Sequence, residues 1–186
     1  MRDTDSIPAS VAPEIKAIRS YRAAFWLGVL LSSLHLWFNT IGFFSSQDQN
    51  AIHFAGFAMM CALLNPVTLR PGWRWLDLAF GVAVALSTLY LIGAEDAIYE
   101  RGVRLAPLDW VAAAVAILGA VEFTRRTTGW IVPLLIVLSL SYVSWWGAYV
   151  PGVFRFAGLS LETLVFRSIY GDDALFGNIA RISSTF

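Results

Sequence analysis

Five long apolar runs constrain this chain more than any other feature. They cover residues 23–44, 51–67, 76–94, 108–124 and 130–150, and none alternates in the two-residue pattern of a half-buried strand. About 20 helical residues at 1.5 Å rise cross ~30 Å of hydrocarbon. A segment inside lipid must also satisfy its backbone internally, which a helix does and an isolated strand does not. The expected fold is therefore an all-α integral membrane protein with about five transmembrane helices. The second run is short and the fourth carries terminal charges, so their ends are expected to shift by a few residues.

Basic residues in the flanks give the runs a direction. Residues 1–22 form a polar tail carrying Arg2, Lys16, Arg19 and Arg22, with no short apolar core and small-residue cleavage site of a signal peptide. Arg70 and Arg74 follow the second run, and Arg125 and Arg126 follow the fourth. Residues 45–50 have no Lys or Arg, and in 95–107 Arg101 and Arg104 are offset by Glu95, Asp96 and Glu100. Positive flanks stay on the cytoplasmic side, so the N-terminus is expected there and the fifth run exits outside. Aromatic positions agree: Trp26, Trp73, Trp75 and Trp130 fall near the inner boundary, and Trp110, Trp145, Trp146 and Tyr149 near the outer one.

Three segments follow: a flexible cytoplasmic tail (1–22), a five-helix membrane bundle (23–150) and an outer-side stretch (151–186). In the last, Ser160 is placed to cap a helix running through Tyr170, with Leu161, Leu164, Val165 and Ile169 on one face. That amphipathic helix is expected to lie along the outer interface or to pack on a partner. Small residues at Ala79, Gly81, Ala83, Ala85, Ala112, Ala113, Ala114, Ala116 and Gly119 permit close helix approach. Pro133 is expected to kink or relax the fifth helix near its inner end.

Catalytic patterns are missing from the sequence. It has no zinc-ligand cluster, Walker loop, GxSxG elbow or dinucleotide fingerprint, and its net charge of zero offers no basic surface for nucleic acid. Cys61 is the only cysteine, which excludes an internal disulfide. Ionisable residues inside apolar runs are functional hypotheses by default. His35 and His53 could ligate a haem, but counting from the run ends places His35 about 13 Å deep and His53 about 3 Å deep. Separate roles are therefore expected: His35 bonded inside the bundle and His53 at the interface, with no cofactor. Asp77 is expected to pair locally with Arg74, and Glu122 with Arg126 at i, i+4. Arg125, Arg126 and Trp130 are expected to anchor the inner boundary and hold lipid phosphates.

Ordered sequence blocks carry a family resemblance. They are Tyr99-Glu100-Arg101-Gly102 with Pro107-Leu108-Asp109, then 122–130 (Glu-Phe-Thr-Arg-Arg-Thr-Thr-Gly-Trp) with Pro133 close behind. Tyr142, Gly147, Pro151-Gly152, Gly158-Leu159-Ser160, Phe176-Gly177 and Ser183-Ser184-Thr185-Phe186 follow in order. From about residue 50 onward the chain resembles the N-terminal region of fused permeases of tripartite ATP-independent periplasmic (TRAP) transporters, in the branch served by TAXI-type binding proteins.

The resemblance implies a non-enzymatic accessory subunit of an ion-gradient-driven importer in the bacterial inner membrane. In that family a small four-helix subunit braces a large multi-span subunit, which carries the substrate and sodium sites. A periplasmic binding protein delivers the substrate, usually an organic acid. On this reading residues 151–186 contact the large subunit. The loops 95–107 and 151–173 face the binding protein, with Glu100, Arg101, Arg104, Asp109, Arg155 and Arg167 as contact residues, and charge pairing steers the docking. Fused relatives continue beyond the Ser-Ser-Thr-Phe block into a further span, and Arg181 stands where they keep apolar or small residues. A separately encoded small subunit, or one part of a permease made as two chains, is expected, with the transport sites elsewhere. The alternative is a haem-binding membrane anchor of a respiratory oxidoreductase, with His35 as ligand.

Overall fold

The computed structural model describes residues 12–67, 73–102, 104–171 and 174–185. Residues 1–11 of the polar N-terminal tail, with Arg2, and the loop containing Arg70 lie outside these residues, and the rest of the tail belongs to the first helix. The described chain is helical and forms no strand. Its elements are α1 (Ala12–Thr40), α2 (Ser46–Leu64), α3 (Arg74–Gly93), α4 (Glu95–Glu100), α5 (Pro107–Thr128), α6 (Ile131–Ser144), two short 3-10 turns (Trp146–Tyr149 and Gly152–Phe154), α7 (Leu161–Tyr170) and α8 (Asn178–Thr185). Two of them, α3 and α5, are long and apolar enough to cross a membrane.

Local chemistry sets the helix ends. Ser45 caps α2 reciprocally: its hydroxyl accepts from the Asp48 amide at 3.1 Å, and the Asp48 carboxylate accepts from the Ser45 amide at 3.2 Å. Pro107 opens α5 at a position whose amide would have no helical partner. Gly129, at φ 82°, closes α5 in a conformation few other residues adopt.

The expected kink at Pro133 is absent for the same reason that Pro107 is tolerated. Pro133 sits in the first turn of α6, where its missing N–H removes no helical bond. The fifth apolar run does not form one helix to residue 150. The α-helix stops at Ser144, after 14 residues or about 21 Å, and the chain turns back along it. Phe156 and Leu159 donate backbone hydrogen bonds to the carbonyls of Gly147 and Val143, both at 3.0 Å. A β-carbon on Gly147 would lie 2.6 Å from the Tyr142 carbonyl oxygen, so only glycine permits the return.

The bundle is built on α3, which packs against α2 on one side and α5 on the other. Close approach depends on the small residues, but only on those at helical spacing toward the interfaces. A β-carbon on Gly81 would lie 2.6 Å from Ala62 Cβ, and one on Gly119 2.4 Å from Val84 Cγ2. Ala112, Ala113 and Ala116 are buried, whereas Ala79, Ala83 and Ala114 face outward. An alanine face on α2 (Ala51, Ala55, Ala58 and Ala62) completes the seam.

Ser160 caps α7 as expected, accepting from the Thr163 amide. The helix packs on α5 and α6 of its own chain, with Ile169 and Tyr170 buried and the Tyr170 hydroxyl donating to the Leu91 carbonyl at 2.6 Å. The terminal helix α8 had no counterpart in the sequence reading. It folds back on α2 through Asn50, which is 2% exposed: the Asn50 amide donates to the carbonyls of Phe176 and Gly177, and its oxygen accepts from Ser184 Oγ at 2.8 Å.

Candidate functional site

Three places concentrate polar chemistry, one at each end of the bundle and one in a groove between α1, α2 and α8. At the first end α3 and α5 meet through ions. Arg126 bridges Asp77 (Nη1 to Oδ1, 3.0 Å) and Glu122 (Nε to Oε1, 2.9 Å), and it also donates to the Asn65 carbonyl at 3.3 Å. Asp77 additionally accepts from the Val67 amide. The i, i+4 pair from Glu122 to Arg126 is present, and Asp77 finds a cation across the interface in Arg126. Arg126 cannot serve as a lipid anchor, since its side chain is 6% exposed and the Asp77 side chain 8%. Arg125 is more open. It grips Glu122 through two nitrogens at 2.7 and 2.8 Å, and its guanidinium sits 5.2 Å from the exposed Trp130 ring.

At the other end Asp109 is the node. Its Oδ2 accepts from the Ala106 amide at 2.7 Å and from Arg101 Nη2 at 2.5 Å, and its Oδ1 accepts from the Tyr90 hydroxyl at 2.7 Å. Asp109 is 1% exposed, so it is no contact residue for a partner: burial at the start of α5 and three donors hold it inside. Arg101 is 40% exposed and reaches both Asp109 and the Arg104 carbonyl, which gives it a structural task. Glu100, Arg104 and Arg155 are exposed, and Arg167 lies at the edge of an apolar groove of about 500 Å³ between α5, α6 and α7. Glu162 accepts from the Leu105 amide at 2.7 Å and ties α7 to the loop before α5.

Glu95 opens α4 at this end. Partial burial raises its pKa above the usual carboxylate value, and the nearby Asp48 and Asp96 add to the shift. Its folded-state pKa therefore lies above the unfolded one. The linked stability is present below the unfolded pKa and is lost as pH rises through the folded one. Glu95→Gln should unfold at a higher temperature than the parent at pH 7, with the gap closing as pH falls below the ordinary carboxylate range. Thermal melts at a series of pH values check this, and a constant gap would reject Glu95 as its source.

In the groove, the two histidines stand together. His35 Nε2 lies 2.8 Å from His53 Nδ1, and the rings meet edge to face. Counting depth from the ends of apolar runs had separated them by about 10 Å, and the structure corrects this. The helix α1 stops at Thr40, α2 begins at Ser46, and both histidines fall in the body of their helices. Packing sets the register. Leu31 fills the space over Gly56, where a β-carbon would lie 2.3 Å from Leu31 Cδ2. One turn on from Leu31 is His35, and nearly one turn before Gly56 is His53. In antiparallel helices these two must meet. Asn39, which donates to the carbonyls of His35 and Ser184, lies on the same side.

No family model, curated protein or solved structure matches the chain.

Proposed function

We propose that this chain is an accessory membrane subunit of a TRAP-type importer, bracing a large transport subunit and helping to dock a periplasmic binding protein for organic-acid uptake. On this reading α1, α2, α3, α5 and α6 are the five spans, the Asp77 end is cytoplasmic and the Asp109 end is periplasmic. The ordered sequence blocks support the family, and the flanking charges support the orientation.

The observation that carries the bracing role is the outer face of α6. Ile131, Leu134, Leu135 and Leu138 follow the i, i+3, i+4, i+7 pattern and are all exposed, while α5 and α7 cover the other side. At about 21 Å this helix is short for ~30 Å of hydrocarbon. A neighbouring membrane protein along that face shields its ends better than lipid does. Arg125 and Trp130 remain suited to the inner boundary. Arg104, Glu100, Arg155 and Arg167 remain the contact residues proposed for the binding protein. Because Arg101 also holds Asp109, a change at Arg104 is the one that separates docking from folding.

Purification from native membranes in a mild detergent tests the reading. The expected result is a stoichiometric complex with one multi-span protein that lacks redox centres, dissociated by Leu134→Arg while the released subunit keeps its helical content. A chain isolated with a Soret band that shifts on reduction would reject it in favour of the haem-binding anchor.

A further inference from the structure

The groove between α1, α2 and α8 measures about 440 Å³ and is lined by Ser32, His35, Asn39, His53, Met60 and Ser183, among others. Hydrogen-bond direction settles the protons in it. The Leu31 carbonyl can only accept, and it lies 2.6 Å from His35 Nδ1, so that nitrogen carries the proton. With both imidazoles neutral, His35 Nε2 is a lone pair and the proton between the rings belongs to His53 Nδ1.

Both rings are also oriented by groups other than each other. The Leu31 carbonyl fixes His35, and Phe57 stacks on His53 with centroids 4.4 Å apart. In His35, a ring N–H given to a backbone carbonyl, leaving the opposite nitrogen free to ligate, is the outer-shell arrangement of metal-ligating histidines. Two imidazole nitrogens bound to one tetrahedral ion stand about 3.3 Å apart. The present 2.8 Å needs an opening of only about 0.5 Å to reach that spacing.

From this geometry we infer that His35 and His53 form a two-nitrogen site for a divalent transition metal, clamping α1 to α2. Neutral imidazoles select Cu²⁺, Ni²⁺ and Zn²⁺ over Mg²⁺ and Ca²⁺, with Cu²⁺ bound most tightly. No group of three His, Cys, Asp or Glu exists among the described residues, so water, the Asn39 amide oxygen or the Met60 thioether completes the coordination. On binding, the His53 proton moves from Nδ1 to Nε2 and Nδ1 becomes a ligand, so no proton is released to solvent. Asn39, Ser183 and Ser184 lead from the pair toward the Asp109 end and provide a polar path to it.

The chain has only two histidines, which makes the test direct. Full-length protein in detergent, with any affinity tag removed, is titrated with Cu²⁺ and read by electron paramagnetic resonance. The expected result is one tightly bound Cu²⁺ per chain coupled to two imidazole nitrogens, with a higher thermal midpoint on metal addition. His35→Asn and His53→Asn should each weaken binding by at least ~10–100-fold, the range that disturbing even an outer-shell partner produces. Should either variant fail to fold, parent protein with ¹⁵N-labelled histidine gives the same reading without substitution. Coupling to one nitrogen or none, two independent copper sites, or a Soret-absorbing group already on the protein would overturn the assignment.

Discussion

Arg126→Met should destabilise the bundle by about 3–5 kcal/mol, because it strips the cation from the nearly buried Asp77, while Glu122 keeps Arg125. Asp77 would keep only the Val67 amide among these partners. Arg125→Met, one position earlier, should change stability little. Arg125 is more exposed, and Glu122 would still hold Arg126. Combining Asp77→Leu with Arg126→Met should recover part of the loss, since an apolar pair of similar size avoids the desolvation of both charges. Unfolding in mixed micelles with a denaturing detergent measures all four proteins. If Arg126→Met unfolds with the parent, the interface between α3 and α5 does not depend on this pair.

Asp109→Ala should produce the second large effect, about 1–3 kcal/mol, concentrated at the opposite end. Three donors lose their acceptor. The Ala106 amide has little water to turn to, whereas the Tyr90 hydroxyl and Arg101 belong to side chains exposed enough to hydrate. The loss is therefore smaller than for a fully buried ion pair. Asp109→Asn keeps one oxygen acceptor and should fall between the two. Because Asp109 also ties down the turn before α5, trypsin should cleave the variant after Arg101 or Arg104 faster than the parent. Unchanged proteolysis together with unchanged stability would show that the turn is held by Glu162 and the Leu105 amide instead.

Much of the architecture could be read along the chain because it depends on local pattern. Ser160 acts on backbone groups within one turn, so its effect does not wait for a fold. The pairing of Glu122 with Arg126 is equally local. The α6 break at Ser144 was missed, because the apolar composition of 130–150 conceals a return that depends on Gly147 fitting against Tyr142. The terminal helix was missed as well. Its eight residues are weakly helical alone, and Asn50, more than 120 residues away in sequence, holds the segment leading into it.

The candidate site divides in the same way. Sequence picked out His35, His53, Asp77 and the arginines as polar groups in apolar surroundings, since the price of burying such groups holds in any fold. It misassigned Asp109 and Arg126 to surfaces, because burial of a charge depends on donors brought from other helices. It separated the two histidines, because depth counted from the end of an apolar run ignores how one helix slides along the next. The amino-acid sequence by itself determined that the chain is helical, where its apolar stretches lie and which ends bear positive charge, all consequences of short-range periodicity and composition. Only the tertiary structure decided which groups meet, because the register of α1 against α2 rests on Leu31 seated over Gly56, a contact between residues far apart in the chain.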